Sequence, residues 1–263
     1  MAFPKMLEEI IAHTAKRILP LIEAEDSIRR QAADTPSPRP FLDGFREDRL
    51  GVIAEIKRRS PSRGDLNLDV NPSQQAVMYE KGGATAISVL TEPRFFAGSN
   101  EDLIQVKESV SVPILRKDFT IHSAQIWEAR KIGADAVLLI AAVLDDDHLR
   151  SLHEVAEEAG LAAIVEVHTV EEAERALTIL PSVVGVNSRN LSDFSVSLET
   201  AEEIVPLLND VVKIAESGIH NSEDALRMAR AGYDGLLVGE RLVTEKDPSR
   251  VIDEFRVLKR RDR

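Results

Sequence analysis

Oppositely charged residues follow short apolar runs in this chain. Glu55 and Lys57 stand two residues apart in Ala54-Glu55-Ile56-Lys57, and Lys117 closes Ile114-Leu115-Arg116-Lys117. Residues two apart share one face of a strand. Burying a charge is costly unless it is paired, so such lysines and glutamates are expected to pair and to shift one another's pKa. Groups of this kind supply general acids and bases near neutral pH.

Three more polar residues occupy the same kind of position further along the chain: Glu166, Asn187 and Glu216. A single charge at a strand end is usually a solvated flank, but the repetition predicts that these side chains converge. Glu166 follows four apolar residues, so burial should raise its pKa. We expect Lys57 and Lys117 to outweigh that effect and to keep the Glu166 carboxyl ionised at neutral pH.

Two glycine turns follow the last two apolar runs, at Ser217-Gly218 and Gly239-Glu240. Backbone N–H groups of such turns, near a helix N-terminus, stabilise a phosphate dianion. A lone glycine is more often a plain tight turn, so both interpretations stay open. The paired placement favours a phosphate site.

A long, basic segment of 14 residues, from Arg58 to Asn71, follows the first apolar run. Connections between a strand and a helix usually have about 2–6 residues. With Lys57 just before it, and Arg59 and Arg63 within it, the segment concentrates positive charge in an acidic chain. It is either a solvated, mobile surface loop or a cationic lid over an anionic substrate.

The elements that must position these residues are short, almost continuously apolar runs, as expected of strands buried on both faces. The predicted strands are Val52–Lys57, Ala84–Leu90, Val112–Lys117, Ala134–Ile140, Ala162–Val167, Val183–Asn187, Val211–Ala215 and Asp234–Val238. Segments with helical spacing separate them, and a glycine precedes several strands in a weak internal repeat.

Eight strand–helix units in this length predict an α/β fold, a (β/α)8 TIM barrel. The alternative, an open doubly wound sheet, usually has fewer strands and lacks here the G-x-G-x-x-G fingerprint after the first strand. We expect one domain over residues 1–263, with an N-terminal helical extension at 1–48 and the barrel at 49–263. Apolar residues at helical spacing, among them Leu7 and Ile10, give the extension a face for docking.

Composition excludes several classes of function. The 263 residues include 33 Lys and Arg against 45 Asp and Glu, a net charge of −12, which argues against general nucleic-acid binding. The chain has no cysteine, which excludes disulfides and thiolate catalysis. No apolar run approaches the roughly 20 residues of a membrane helix, and the N-terminus lacks a signal-peptide pattern. We therefore expect a cytoplasmic protein without nucleic-acid or membrane partners.

Several phrases of the sequence resemble the indole-3-glycerol-phosphate synthase family over nearly the whole chain. They are Ile53-Ala54-Glu55-Ile56-Lys57 with Ser60-Pro61-Ser62, Ile87–Glu92 with Phe95-Phe96 and Gly98-Ser99, Pro113–Phe119, Val165-Glu166-Val167, Gly185–Leu191 and Ala215–Ile219. Each motif alone is moderately specific, and six of them in order at appropriate spacing are very unlikely to arise by chance. The resemblance implies a (β/α)8 barrel with an extra N-terminal helical segment.

The resemblance also implies an activity: closure of an anthranilate-substituted deoxyribulose phosphate into an indole ring, with loss of carbon dioxide and water, in tryptophan biosynthesis. It implies neither a cofactor nor a metal. The catalytic positions that it implies are Glu55, Lys57, Lys117, Glu166, Asn187, Glu216 and Ser217. The phosphate positions are Lys57, Ser217, Gly218, Gly239 and Glu240, the last through its backbone because some relatives carry serine there. The substrate-contacting positions are Ser60, Phe96, Phe119, Leu138, Arg189 and Leu191.

Two rival functions remain at this point. One is another barrel enzyme acting on a phosphorylated pentulose, such as the isomerase of the preceding step, which would share the phosphate site without needing the Glu55–Lys57 pair. The other is a non-catalytic binding barrel, which should have lost a charged strand-end residue. The chain keeps all of them, so we expect an enzyme with a small phosphorylated substrate, either a monomer or a weak homo-oligomer.

Overall fold

A computed structural model describes residues 5–257 and 259, and its centre is a closed barrel of eight parallel strands. The strands are β1 (Gly51–Ile56), β2 (Ala86–Leu90), β3 (Ile114–Lys117), β4 (Ala136–Ile140), β5 (Ala162–Val167), β6 (Val183–Asn187), β7 (Val212–Glu216) and β8 (Gly235–Val238). Each strand pairs in parallel with the next, and β8 pairs with β1 to close the barrel. The predicted TIM barrel is confirmed.

Helices alternate with the strands around the barrel. They are α1 (Lys5–Arg17), α2 (Leu19–Glu23), α3 (Glu25–Ala33), α4 (Pro72–Lys81), α5 (Asn100–Ser109), α6 (Ser123–Lys131), α7 (Asp146–Glu158), α8 (Val170–Leu177), α9 (Leu198–Ile204), α10 (Ser222–Ala231), α11 (Glu240–Val243) and α12 (Pro248–Phe255), with 3₁₀ turns at Asp43–Arg46 and Val205–Leu207. Side chains such as Asn71, Asp145 and Thr169 accept hydrogen bonds from first-turn N–H groups and so begin several of these helices.

The predicted strands match the observed ones to within two residues at each end. The largest differences are at the starts, where β2, β3 and β4 begin two residues later than predicted. Four glycines of the internal repeat, Gly83, Gly133, Gly160 and Gly232, adopt positive φ between 71° and 103° just before a strand. Such angles strain other residues, which explains why glycine recurs there.

The bottom of the barrel is closed by Phe45, which is fully buried. A Cβ atom at Gly51 or Gly235 would overlap the Phe45 ring, so β1 and β8 begin with glycine to make room for it. Above Phe45 the interior is filled by apolar side chains, among them Leu115 and Ile214. This filled interior leaves the opposite end, where the strands finish, as the open mouth.

The N-terminal extension is helical, as predicted, and it packs on the barrel. Helix α3 lies against α6, with Ala32 buried and the Arg29 guanidinium 5.0 Å from the centre of the Trp127 ring. Helix α1 lies at the barrel mouth, where Leu7 and Ile10 are buried. The outermost parts of the predicted domain, residues 1–4, 258 and 260–263, lie outside the described residues. No helix in the described part of the chain is long and apolar enough to cross a membrane.

Candidate active site

Every residue singled out from the sequence as a site residue lines one cavity at the mouth of the barrel. The lining includes Glu55, Lys57, Ser60, Phe96, Lys117, Phe119, Leu138, Glu166, Asn187, Arg189, Leu191, Glu216, Ser217, Gly218, Gly239 and Glu240. These residues belong to all eight strands of the barrel or to the loops that follow them. The carboxyl ends of barrel strands are where such enzymes hold their active sites.

Lys117, the last residue of β3, lies at the centre of three carboxylates. Its Nζ is 2.6 Å from Glu216 Oε2, 3.4 Å from Glu166 Oε2 and 4.0 Å from Glu55 Oε2. Burial would lower the pKa of the lysine, but the three carboxylates outweigh it and raise the Lys117 pKa above its ordinary value. Lys117 is therefore protonated at neutral pH and lines the cavity. It can give its proton to a group that binds the proton more strongly than the three carboxylates do.

Lys57 forms its own ion pair at the end of β1, two strands away from Lys117. Its Nζ lies 2.6 Å from Glu55 Oε1, so the two oxygens of Glu55 face the two lysines. Burial acts to raise the pKa of Glu55, whereas Lys57 and Lys117 together lower it below its usual range. The arrangement holds two ammonium groups on the two sides of one carboxylate.

Glu166 is the most heavily contacted acid of the site. In addition to Lys117, its Oε1 accepts a hydrogen bond from Asn187 Nδ2 at 3.3 Å and lies 3.2 Å from His168 Nε2. Asn187 in turn accepts a hydrogen bond from Ser217 Oγ at 2.8 Å. Burial acts to raise the pKa of Glu166, but Lys117 and His168 lower it far below its usual range. Glu166 is thus ionised at neutral pH, as expected, but the cations beside it are Lys117 and His168, whereas Lys57, the second expected cation, pairs with Glu55.

Glu216 differs from the other two carboxylates. Burial and the nearby Glu166 raise its pKa to about 7, against the opposing effect of Lys117. Its Oε1 is buried without a hydrogen-bond partner among the described residues, and a Cβ at Gly185 would overlap that oxygen. The glycine in β6 therefore makes the room that the Glu216 carboxyl occupies beside Lys117.

The two predicted phosphate turns lie at the ends of β7 and β8. Ser217 and Gly218 both have positive φ, 64° and 82°, which turns the chain sharply after β7. Gly239 immediately precedes α11, so its turn joins a helix N-terminus. A Cβ at Gly239 would overlap the Glu55 carboxylate and stand 3.1 Å from Lys57 Nζ. The second turn therefore lies directly against the Glu55–Lys57 pair.

The long loop after β1 is folded and held by ion pairs. It contains a hairpin of Arg59–Ser60 with Gly64–Asp65. Arg58 pairs with Asp102, and Arg59 lies 2.5 Å from Asp65. Arg63 reaches Glu240 at the start of α11, with 3.1 Å between Nε and Oε1. Acids of the protein thus pair with all three arginines, and the loop bridges the rim between β1 and β8.

Apolar side chains and Arg189 complete the wall of the cavity. The Phe96 and Phe119 rings lie with their centres 6.1 Å apart, and Leu138 of β4 and Leu191 are also exposed to the cavity. Arg189 donates hydrogen bonds from its side chain to the Phe194 carbonyl at 3.2 Å and from its backbone N–H to Asn187 Oδ1 at 3.1 Å. This wall offers a flat apolar surface next to a cation, which suits an aromatic ring that carries a carboxylate.

Sequence reasoning missed two groups that hold the site together. Asp118, beside Lys117, accepts two hydrogen bonds from Arg17 of α1, at 2.8 and 3.0 Å, and one from the Phe119 backbone N–H. The other group is His168, whose side chain lies 3.2 Å from Glu166. Its position two residues after Glu166 was a usable signal, because residues two apart share a strand face.

Comparisons with known proteins agree with this geometry. The family model for indole-3-glycerol phosphate synthase matches residues 7–255. The chain is 48% identical over 249 residues to the indole-3-glycerol phosphate synthase of a Nocardioides species, covering 92% of this chain and 95% of that one. It is 47% identical over 251 residues to that of Mycolicibacterium gilvum, covering 95% and 92% of the two chains. With that of Kineococcus radiotolerans the identity is 54% over 205 residues, covering 78% and 75%.

Solved structures of lower similarity share the fold. Thiamine phosphate pyrophosphorylase from Pyrococcus furiosus superposes with a TM-score of 0.59 at 20% identity, covering 78% of this chain and 93% of that one. The 3-hexulose-6-phosphate synthase of Salmonella typhimurium gives a TM-score of 0.64 at 14% identity, covering 78% and 96%. At these identities the likeness is one of fold alone.

Proposed function

The chain belongs to the indole-3-glycerol phosphate synthase family, and we propose that the cavity at the barrel mouth performs this family's reaction with the residues that line it. The reaction closes 1-(2-carboxyphenylamino)-1-deoxyribulose 5-phosphate to indole-3-glycerol phosphate, with loss of carbon dioxide and water. One observation supports this assignment above all: Lys117, held by three buried carboxylates, lies between an apolar wall and two phosphate-type turns.

Binding uses the two ends of the cavity. The phosphate dianion is held by the backbone N–H groups of the Ser217-Gly218 and Gly239-Glu240 turns together with the Lys57 ammonium. The aromatic ring lies against Phe96, Phe119, Leu138 and Leu191, with Ser60 at the edge of the cavity. Arg189 pairs with the ring carboxylate. The chain of the sugar then crosses the space in front of Lys117.

Ring closure needs an acid at the ketone. As the ring carbon that bears the carboxylate attacks the carbonyl carbon, the carbonyl oxygen gains negative charge, and Lys117 Nζ donates a proton to it. The carboxylate then leaves as carbon dioxide, and its bonding electrons restore the aromatic ring. Glu216 and Glu55 hold Lys117 in place and stabilise its charged form before the transfer.

Dehydration needs a base and an acid. Glu166 takes the proton from the carbon next to the nitrogen, and an ammonium group protonates the departing hydroxyl, which leaves as water. That acid is Lys57 or Lys117, since both lie beside Glu55. Asn187 and Ser217 form a hydrogen-bonded chain to Glu166 that fixes the orientation of its carboxylate.

Incubation of the purified protein with the anthranilate deoxyribulose phosphate tests the function. We expect indole fluorescence to appear together with one equivalent of carbon dioxide. The N-(5-phosphoribosyl)anthranilate of the preceding isomerisation serves as the competing substrate. Turnover of that compound alone would assign the rival isomerase activity, and binding without turnover of either would assign a binding protein.

The remaining features of the protein follow from the same assignment. We propose one domain formed by the barrel and its N-terminal extension, acting in the cytoplasm as a monomer or weak homo-oligomer on a small phosphorylated substrate. The ion pair between Arg17 in α1 and Asp118 after β3 supports a single domain. Sedimentation at micromolar concentration tests the oligomeric state.

A further inference from the structure

His168 is a buried imidazole that lies behind the active site, where the proposed mechanism does not use it. It follows the end of β5 by one residue, and its side chain is only 6% exposed. Its Nε2 is 3.2 Å from Glu166 Oε1, and its Nδ1 is 3.2 Å from Glu172 Oε2. The imidazole thus bridges a carboxylate of the site and a carboxylate of helix α8.

The first turn of α8 fixes the rear of the imidazole. Thr169 begins the helix by accepting a hydrogen bond from the Glu172 backbone N–H at 3.2 Å. The Glu172 carboxylate accepts the His168 backbone N–H at 2.8 Å with the same oxygen that faces Nδ1. This is a capping-box arrangement in which the acid reaches one residue further back. The ring of His168 is therefore oriented by the start of the helix.

The front of the imidazole faces one oxygen of Glu166, while Lys117 faces the other. His168 Nε2 makes no aligned hydrogen bond within the described part of the chain, so its contact with Oε1 is electrostatic. The cations around Glu166 are Lys117 and His168, and the other carboxylates around it are Glu55 and Glu216. With a neutral imidazole, only Lys57 and Lys117 would face the three buried carboxylates Glu55, Glu166 and Glu216.

Resting on the proposed function, we propose that His168 is a positioning residue that Glu172 keeps cationic. Its charge holds Glu166 ionised with Oε2 turned toward Lys117 and the substrate. The two carboxylates outweigh the effect of burial and raise the pKa of His168 to about 9, in agreement with a cation at neutral pH. His168 acts through Glu166 and does not itself touch the substrate.

The test separates charge from packing. His168→Gln keeps a side-chain N–H of similar reach but removes the cation, so the pKa of Glu166 should rise. In wild type kcat should fall as His168 loses its proton near pH 9, whereas His168→Gln, which carries no charge there at any pH, should have a lower kcat at neutral pH and no such step. His153→Gln is the matched control, because His153 is also buried and lies 3.9 Å from Glu157 on the outer face of the barrel. It should leave the profile in place.

Glu172→Gln gives a second, independent readout. Without Glu172 the imidazole should deprotonate near its ordinary pKa of about 6.5. The fall in kcat should therefore move from near pH 9 to near pH 6.5, so that the variant matches wild type at pH 5.5 and approaches His168→Gln at pH 8. Nitrogen-15 NMR of the His168 ring, which needs no substrate, should show its titration moving from near pH 9 in wild type to lower pH in this variant.

Two results would overturn the proposal. One is a His168→Gln profile that keeps the wild-type limbs and only loses height, which would make His168 a packing residue. The other is a His168 ring that titrates near pH 6.5 in the wild-type protein. A failure of the proposed function would show differently, as no indole product from the wild-type protein at any pH.

Discussion

Lys117 Nζ lies 2.6 Å from Glu216 Oε2, so the ends of β3 and β7 meet through an ion pair across the mouth of the barrel. Glu216 is almost fully buried, and Gly185 on the neighbouring strand leaves the space for its carboxyl. A buried carboxylate of this kind is costly unless it is paired. The pair therefore fixes Lys117 at the centre of the cavity and ties its acidity to the state of Glu216.

Glu216→Gln should lower the pKa of Lys117, because one of its three neighbouring carboxylates is lost. An acid catalyst works in its protonated form, so the basic limb of the kcat–pH profile should move to lower pH by roughly one unit. Because the Lys117 pKa lies above its ordinary value, the profiles are recorded from pH 8 up to the highest pH at which circular dichroism shows both proteins folded, with Glu202→Gln on the outer face as control. Identical basic limbs for wild type and Glu216→Gln would remove Glu216 from any control of Lys117.

Gly239→Ala should impair both binding and turnover. The added Cβ would overlap the Glu55 carboxylate and crowd Lys57 Nζ at 3.1 Å, so the ion pair must move along with the phosphate turn. We expect a higher KM and a kcat lower by about tenfold or more. Gly160→Ala, at the far end of α7, should cost stability through its positive φ without changing either constant. Normal kinetics for Gly239→Ala would place the phosphate elsewhere.

The Arg63–Glu240 ion pair at the rim should tune affinity for the phosphate. Glu240 places a carboxylate beside the Gly239 turn, and Arg63 offsets its charge from 3.1 Å away. Arg63→Ala should raise KM, and Glu240→Gln should lower it, each by roughly two- to fivefold, since exposed pairs contribute at most about 1 kcal/mol. In the double variant the Arg63 change should have no further effect. Additive effects of the two changes would show that the residues act separately.

Arg17→Met should loosen the N-terminal extension and disturb the site next to it. Asp118 would keep its contacts with Thr91 and the Phe119 N–H but would lose its two bonds from Arg17. A free energy of unfolding lower by about 1–3 kcal/mol is expected for a buried acceptor that loses a partner, with a higher KM because Phe119 shifts. Urea unfolding and steady-state kinetics measure both, against Arg250→Met as an exposed-pair control. A drop in stability no larger than that of the control would mean that α1 merely rests on the barrel.

Much of the fold could be predicted because the strands are buried on both faces. Runs such as Ala136–Ile140 are apolar throughout, and left-handed glycines such as Gly133 mark the start of a new unit. The charged strand ends were visible for the same reason, since Lys117 and Glu166 interrupt apolar runs. A closed parallel barrel then brings those ends together.

What the sequence alone could not predict are contacts between distant segments. Arg17 and Asp118 lie 101 residues apart in the sequence, and no residue next to either one in the chain predicts that the two side chains pair. The role of Gly185 depends on the space that Glu216 needs on the next strand. The contacts of His168 with both Glu166 and Glu172 could not be predicted, because they depend on where α8 begins in the fold.

The central claim is that Lys117 supplies the proton for ring closure and that Glu166 acts later, as the base of dehydration. A single-turnover experiment with substrate labelled in its carboxylate follows both steps, because carbon dioxide reports closure and indole absorbance reports dehydration. Lys117→Met should release carbon dioxide at least about 10²-fold more slowly than wild type. Glu166→Gln should release it at a near-normal rate while indole appears at least about 10²-fold more slowly. Rapid release by Lys117→Met, or equal slowing of both signals in Glu166→Gln, would contradict this division of roles.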